Sequence, residues 1–320
     1  MGADNHVTLL ASMIISCYRF GMKDFSDNMR GAALMTGSMI AFVANDAFMK
    51  SLAGDVPLFQ ALFLRGIGTV ICLTILAYAL GQLVFHHSRK DWALMILRAL
   101  AEVAGSVFFL QALFHMPLAN VSAVLQALPL TVALGAAVFL GEPLGWRRLL
   151  AILVGFAGVF LIIRPDSDGF NIYSIYMLCA VACVTLRDLS VRRMSAKVPS
   201  VFVGLIAAFA VMLLGAGVTA TQSWVPVNAT SAMQIGGAMV FIVFGYVFSV
   251  AAMRNGDISF VAPFRYTSLL AALVIGWAVF GDWPTPLTCV GAGIVVATGL
   301  FTLYRERQFA QQRRLSPRLR

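Results

Sequence analysis

Residues 58–80 read LFQALFLRGIGTVICLTILAYAL, an apolar run of 23 residues in which Arg65 carries the only charge. An α-helix rises about 1.5 Å per residue, so a run of this length crosses the roughly 30 Å hydrocarbon core of a bilayer. Its apolar residues are continuous and lack the alternation of a membrane β-strand. The run therefore predicts a transmembrane helix.

Runs of the same kind recur along the 320 residues. Apolar residues make up 60% of the chain and charged residues 12%, whereas a soluble domain carries about 25% charged residues. A soluble fold of this size cannot bury so much apolar surface. We predict an all-α polytopic membrane protein whose ten transmembrane helices lie at 31–51, 58–80, 92–114, 118–140, 147–164, 171–190, 199–220, 233–253, 258–280 and 285–304.

Positive charge is distributed unevenly between the two ends of these spans. The net charge is +9, and an N-terminus in the cytoplasm places most of the 23 Lys and Arg residues on the cytoplasmic side. Cytoplasmic loops of membrane proteins carry such an excess. We therefore predict that both termini are cytoplasmic and attribute the charge to topology rather than to a nucleic-acid partner. The other Lys and Arg residues are Lys50 and Arg164 outside, and Arg65, Arg98, Arg187 and Arg265 within spans.

The second half of the chain repeats features of the first. At an offset of 142 residues or 140 residues, acidic, basic, proline and glycine positions recur in the same order. The matching pairs are Asp46 with Asp188, Lys50 with Arg192, Pro57 with Pro199, Gly141 with Gly281, and Glu142 with Asp282. Five spans per half is an odd number, so the halves are predicted to cross the bilayer in opposite senses. Inverted repeats of this kind are typical of secondary transporters, and a duplication without alternating access is the alternative.

Several ionisable side chains lie inside the predicted spans. Each costs about 2.5–3.5 kcal/mol to insert, so it needs a partner or water. One interpretation is structural, because neighbours on one helix neutralise each other and long side chains reach the interface. The other is a polar central cavity. On that interpretation the substrate-binding and transport residues are Asn45, Asp46, Arg65, Arg98, Glu102, Gln111, Gln126, Arg187, Asp188, Arg265 and Tyr266.

Motifs of other functional classes are missing from the sequence. It contains no Gly-x-x-x-x-Gly-Lys-Ser/Thr phosphate loop, which argues against ATP-driven transport by this chain. It also contains no His-Glu-x-x-His and no Gly-x-Ser-x-Gly motif. We expect no catalytic residues, no metal site and no cofactor, and we interpret the chain as a transporter rather than an enzyme. A membrane-embedded enzyme remains the alternative from another class.

A set of short motifs resembles the drug/metabolite transporter superfamily, specifically its EamA-type ten-helix members. The motifs are Ala44-Asn45-Asp46 with Lys50, Phe63-Leu64-Arg65, Leu97-Arg98, residues 118–123, Gly141-Glu142-Pro143, Pro263-Phe264-Arg265-Tyr266 and Gly281-Asp282-Trp283-Pro284. The resemblance covers about residues 30–304. It implies a central substrate cavity, cytoplasmic termini and a bacterial inner-membrane location.

The resemblance also divides the chain into segments. They are a cytoplasmic N-terminal tail at 1–29, a first repeat at 30–164, a second repeat at 171–304 and a basic cytoplasmic tail at 305–320. Within the family, the Asn-Asp-x-x-x-Lys and Pro-x-Arg-Tyr elements look like those of riboflavin transporters from alphaproteobacteria and of S-adenosylmethionine uptake carriers. Riboflavin uptake is the preferred expectation, and S-adenosylmethionine or an amino acid is the alternative.

The aromatic side chains offer a way to hold a flavin. The flat riboflavin ring system is expected to stack on Phe108, Tyr266 or Trp277, with amide and Arg groups meeting its carbonyls and hydroxyls. A cationic solute such as S-adenosylmethionine would instead need Asp46, Glu102 or Asp188 unpaired. The expected partners are thus a small solute and membrane lipid. The sequence leaves transport direction, coupling ion and homodimer formation open.

Overall fold

The computed structural model describes residues 27–142, 145–163, 172–195, 197–255 and 258–315. Every regular element in these ranges is helical. The elements are α1 (Asp27–Ser51), α2 (Leu58–Ala79), α3 (Arg89–His115), α4 (Leu118–Leu125), α5 (Leu128–Leu140), α6 (Trp146–Ile163), α7 (Ile172–Arg192), α8 (Ser200–Thr219), α9 (Ala229–Asn255), α10 (Ile258–Val261), the 3-10 helix η1 (Ala262–Tyr266), α11 (Thr267–Phe280) and α12 (Pro286–Leu315).

Ten helical segments in the described ranges are long and apolar enough to cross a bilayer. They agree with the ten predicted runs to within a few residues at most ends. The fourth segment combines α4 with α5, and the ninth combines η1 with α11. The chain is a multi-pass α-helical membrane protein, as the composition predicted. The predicted tails at 1–26 and 316–320 lie outside the described residues.

The fourth and ninth spans are both broken near their middle. Gln126 and Ala127 separate α4 from α5, where Pro129 cannot continue the backbone hydrogen-bonding pattern of α4. In the ninth span Pro263 lies in η1, which links α10 to α11. A break in a membrane helix is tolerated where protein or a water-filled space surrounds it. Both breaks occur at equivalent positions of the repeat, on opposite sides of the bundle centre.

The two halves of the chain interlock. The most extensive contacts join α1 with α9, α3 with α7, α2 with α8, and α6 with α12, and each of these pairs takes one helix from each half. The broken spans also meet through α4 and α11. Exchanging the halves converts the α1–α9 pair into the α7–α3 pair and leaves the others in place. The packing therefore has the pseudo-two-fold symmetry of an inverted repeat.

Glycines allow the backbones of α6 and α12 to touch. A Cβ atom added to Gly158 would lie 2.8 Å from the carbonyl oxygen of Gly291, and one added to Gly291 would lie 2.6 Å from that of Gly158. Close backbone approach through small residues is a common basis of helix association in lipid. The last helices of the two halves are thus held in direct backbone contact.

The fourth and ninth spans end in the same turn. Gly141 (φ 67°) caps α5 and Gly281 (φ 69°) caps α11, both in the left-handed region that glycine adopts without strain. An acidic residue follows each glycine, Glu142 in the first half and Asp282 in the second. The repeated Gly-acid pair seen in the sequence is therefore a helix cap that holds a carboxylate just beyond the helix end.

Candidate substrate-binding site

Ionisable side chains from both halves meet in the middle of the bundle. We call this group the central cluster and define it by Asp46, Arg65, Arg98, Glu102, Arg187, Asp188 and Arg265. Its members come from α1, α2 and α3 in the first half and from α7 and η1 in the second. The extensive α3–α7 pair brings its central part together.

The core of the cluster is a chain of ion pairs across α3 and α7. Arg98 Nη2 lies 3.6 Å from Glu102 Oε2 on the same helix, and Arg187 Nη1 lies 3.3 Å from Glu102 Oε1 across the interface. Arg187 Nε then donates to Asp188 Oδ1 at 2.8 Å. These side chains are largely buried. Glu102 therefore stabilises two guanidinium groups, one from each half.

A second polar group lies between α1 and α2. Arg65 Nη1 donates to Asn45 Oδ1 at 3.1 Å, and Asn45 Nδ2 donates to Asp46 Oδ1 at 2.9 Å. Electrostatic attraction also connects Arg65 to Asp46 and Glu102. The Nε of Arg65 is buried and has no hydrogen-bond partner among the described residues. This guanidinium is held in place and still has one donor for a ligand or water.

Arg265 differs from the other cluster arginines. Its guanidinium lies deep among protein atoms and is attracted by Asp188 and repelled by Arg187. The residue is nevertheless exposed. A side chain that is both deep and accessible faces an open internal space. Among the described residues it forms no ion pair, whereas Arg98 and Arg187 each do.

A relay of hydrogen bonds joins the two broken spans beside Arg265. Gln126 Nε2, at the break between α4 and α5, donates to Ser268 Oγ at 2.7 Å. Ser268 Oγ in turn donates to the backbone carbonyl of Arg265 at 3.0 Å. Gln126 is buried, as its predicted role requires. The relay couples the position of Arg265 to the break in the other half.

Two predicted site residues lie away from the central cluster. Gln111 is nine residues after Glu102 on α3, which at about 100° per residue places it on the opposite face of the helix. Tyr266 is buried with its hydroxyl against Gly299 of α12. Within the described residues that hydroxyl has no hydrogen-bond partner. Tyr266 therefore packs η1 against α12 although it follows Arg265 directly.

Two aromatic residues at the cluster were missed from the sequence. Tyr246 on α9 interacts electrostatically with Glu102, Arg98 and Arg65, and its ring meets Phe42 of α1 edge-on at 5.6 Å between centroids. Phe42 lies one turn before Asp46. No charge pattern marks Tyr246, because the first ionisable side chain after it on α9 is Arg254. Ser268 carried one signal, since it lies one turn after Arg265.

The aromatic residues proposed for ring stacking are spread over the bundle. Phe108 contacts Tyr176 in a tilted arrangement at 5.7 Å between centroids. Trp277 is exposed and meets Trp283 edge-on at 6.1 Å, at the far end of α11 from Arg265. Phe42 and Tyr246 are thus the aromatic pair that lies next to the central cluster.

An apolar hollow of about 370 Å³ lies elsewhere in the molecule. It is formed by α4, α11, α12 and the turn before α12, with Leu269, Leu273, Ala292 and Val296 among its lining residues. No ionisable side chain of the central cluster lines it. The cluster is the better candidate site, because specific recognition of a metabolite needs placed polar groups as well as volume.

The charges of the central cluster do not balance. The set defined above contains four guanidinium groups and three carboxylates, and all three carboxylates have a cationic or amide partner. In the part of the chain that the structure describes, no group of His, Cys, Asp and Glu could hold a metal ion. The site thus offers hydrogen-bond donors and one surplus positive charge. Such a site suits a solute rich in acceptor oxygens.

Comparison with known proteins identifies the family. The profile of the EamA-like transporter family matches residues 29–164 and again 171–304. The chain belongs to this family. Each match contains five of the ten candidate membrane spans. The resemblance seen in the short motifs is therefore confirmed.

EamA-like relatives with different named solutes are similar to this chain. An S-adenosylmethionine uptake transporter of Rickettsia conorii is 26% identical over 85% of this chain and 91% of its own length. A pseudopaline exporter of Pseudomonas aeruginosa is 25% identical over 87% and 97%. A riboflavin transporter of Vibrio cholerae is 30% identical over 68% and 74%. All three are transporters, and their names differ in both solute and direction.

A solved crystal structure shares the architecture. It matches with a TM-score of 0.61 at 18% identity, covering 87% of this chain and 98% of its own. At this identity the match supports the fold alone.

Proposed function

We propose that this EamA-like protein is a secondary transporter that moves a small organic metabolite across a bacterial inner membrane by alternating access. The central cluster carries the proposal, because it brings ionisable side chains from both interlocked halves to one place inside the bundle. A site shared by two inverted halves can face either side when the halves exchange conformations. The distribution of Lys and Arg supports cytoplasmic termini, with repeats at 30–164 and 171–304.

Riboflavin uptake is the preferred specific function. All three cluster carboxylates have partners, so a net cation finds no free counter-ion among them. Riboflavin is neutral at pH 7, and its ring carbonyls and ribityl hydroxyls can accept from Arg265 and Arg65. Phe42 and Tyr246 could contact its flat ring. The relative of Vibrio cholerae is named a riboflavin transporter.

S-adenosylmethionine uptake is the second candidate. The relative of Rickettsia conorii named for this solute is similar over more of the chain than the riboflavin transporter. The amino-acid part of the solute has a carboxylate that would pair with Arg265. Its sulfonium would have to compete with Arg187 for Glu102 or Asp188. This competition places S-adenosylmethionine second.

Growth of a riboflavin-auxotrophic host at low external riboflavin tests the preferred function. The expected result is rescue by the wild type and loss of rescue by Arg265→Ala at the same amount of membrane-inserted protein. Arg147→Ala is the matched control, because Arg147 is an exposed arginine next to Trp146 outside the cluster. If the wild type is inserted and gives no rescue, riboflavin is wrong. Uptake of labelled S-adenosylmethionine by the same cells then tests the second candidate.

A further inference from the structure

We propose that two ion pairs, Lys50–Asp282 and Glu142–Arg192, are clasps that close opposite ends of the central cavity, and that their alternate release determines which side the site faces. The four residues would act as positioning residues for transport and would not contact the solute. The inference rests on the proposed alternating access. It does not depend on which solute is carried.

The first clasp joins the end of α1 to the turn after α11. Lys50 Nζ lies 3.4 Å from Asp282 Oδ2 and 5.1 Å from the centre of the Phe280 ring, and it also donates to the backbone carbonyl of Met116. The side chain of Lys50 is only 13% exposed and that of Asp282 31%. One ammonium group thereby connects α1, the turn between α3 and α4, and the turn between α11 and α12.

The second clasp joins the end of α7 to the turn after α5. Arg192 Nη1 lies 3.1 Å and 3.3 Å from the two carboxylate oxygens of Glu142. The neighbouring Arg193 donates to the backbone carbonyl of Phe139 on α5. The paired side chains are 37% and 42% exposed. This clasp is more accessible to water than the first and has the same kind of cation and acid.

The two clasps are equivalent by the internal repeat. Lys50 corresponds to Arg192 at an offset of 142 residues, and Glu142 corresponds to Asp282 at an offset of 140. Each clasp therefore joins the first span of one half to the turn after the fourth span of the other half. The acids are held by the equivalent caps at Gly141 and Gly281. Because the halves are inverted, the clasps lie at opposite ends of the bundle.

Their placement gives them control over opening. The fourth and ninth spans are the broken ones, and the relay from Gln126 to Ser268 joins them beside Arg265. A clasp at one end fixes a broken span to the first span of the other half. Releasing it lets that end separate while the other clasp holds. A two-state equilibrium shifts according to the difference in interactions between its states, so loss of one clasp favours opening at its own end.

Thiol labelling at the centre of the protein tests the clasps. All five cysteines would be replaced by serine or alanine, and Ser268→Cys would be added as the reporter. A membrane-impermeant methanethiosulfonate reagent is applied to the outside of cells. With cytoplasmic termini, Lys50→Gln and Asp282→Asn are expected to raise the labelling rate about two- to fivefold, and Glu142→Gln and Arg192→Gln to lower it similarly. The signs reverse in inside-out vesicles.

Controls distinguish release of a clasp from loss of folding. The exchanged pair Glu142→Arg with Arg192→Glu keeps the attraction and is expected to return labelling to the reporter's own rate. Arg147→Gln removes an exposed charge outside both clasps and is expected to change nothing. Every variant is checked for a single monodisperse peak in detergent. Shifts of both clasps in the same direction, or no shift in folded protein, would overturn the proposal. Labelling needs no solute, so a failed riboflavin test leaves this result standing.

Discussion

Glu102 on α3 and Arg187 on α7 form an ion pair of 3.3 Å between the two halves of the protein. Arg98 shares the same carboxylate at 3.6 Å, so one acid balances two buried guanidinium groups. The pair lies at the centre of one of the most extensive helix contacts of the bundle. Both the assembly of the halves and the electrostatics of the candidate site depend on it.

Glu102→Gln is therefore expected to destabilise the folded protein. Removing one partner of a buried ion pair leaves the remaining charges uncompensated, which costs about 3–5 kcal/mol. We expect a value near the lower end, because the side chains of Glu102 and Arg187 are partly exposed. Thermal unfolding in detergent measures the change. The double variant Glu102→Gln with Arg187→Gln is expected to recover part of it, and equal losses in the single and double variants would contradict a direct pair.

Arg265→Gln is expected to weaken solute binding with little change in stability. Arg265 forms no ion pair among the described residues and faces an open internal space. Loss of a charge-assisted hydrogen bond would raise the apparent KM about tenfold, equivalent to about 1.4 kcal/mol. Arg265→Lys keeps the charge and should recover part of the affinity. Arg98→Gln is the matched comparison, and it should lower thermal stability more than Arg265→Gln does. A KM unchanged in both Arg265 variants would remove this residue from the site.

Gly299→Ala is expected to disturb the packing of η1 on α12. A Cβ atom at residue 299 would collide with the Tyr266 hydroxyl. Overpacking of this kind costs about 1–3 kcal/mol. Tyr266→Phe removes the colliding hydroxyl, which has no partner among the described residues, so this variant alone should be nearly neutral. Combined with Gly299→Ala, it should restore part of the stability. An additive loss in the thermal unfolding of the double variant would show that the collision is not between these two residues.

Gly158→Ala is expected to separate α6 from α12. The added methyl group would lie 2.8 Å from a backbone oxygen of Gly291, which cannot move out of the way as a side chain can. We expect a loss of about 2–3 kcal/mol in unfolding measurements. Gly293→Ala is the control on the facing helix, because a Cβ atom there meets no atom within 4 Å. Similar losses in both variants would indicate a general cost of removing glycine rather than a backbone contact.

The membrane spans could be predicted closely from sequence because their cause is local. Length and apolar character determine whether a segment such as Ser200–Thr219 crosses a bilayer, and neither depends on the rest of the chain. The internal repeat was also visible, since Gly141 and Gly281 require the same left-handed cap. Proline positions marked the breaks only approximately. Pro117 precedes α4 as its N-terminal flank, whereas Pro129 and Pro263 lie at the interrupted regions.

The candidate site was predictable in composition and less so in direction. Arg98, Glu102, Arg187 and Asp188 come together, because buried charges must find partners. The face that Gln111 presents, the contact of Tyr266 with α12 and the place of Tyr246 depend on how helices rotate against their neighbours. That rotation follows from packing between helices far apart in the chain. Charge and spacing within one span do not determine it.

The interlocking of the halves also sets an order for biogenesis. Ser38 Oγ on α1 donates to the carbonyl of Gly245 on α9 at 2.8 Å, a bond that bridges 207 positions of the chain. α1 therefore leaves the ribosome long before its main neighbour exists. Until then Asn45 and Asp46 must be sheltered by lipid headgroups, by the insertion machinery or by α2. The nascent chain is thus committed to waiting in a half-assembled state, and the rate at which the ribosome delivers α9 limits how soon the bundle can close.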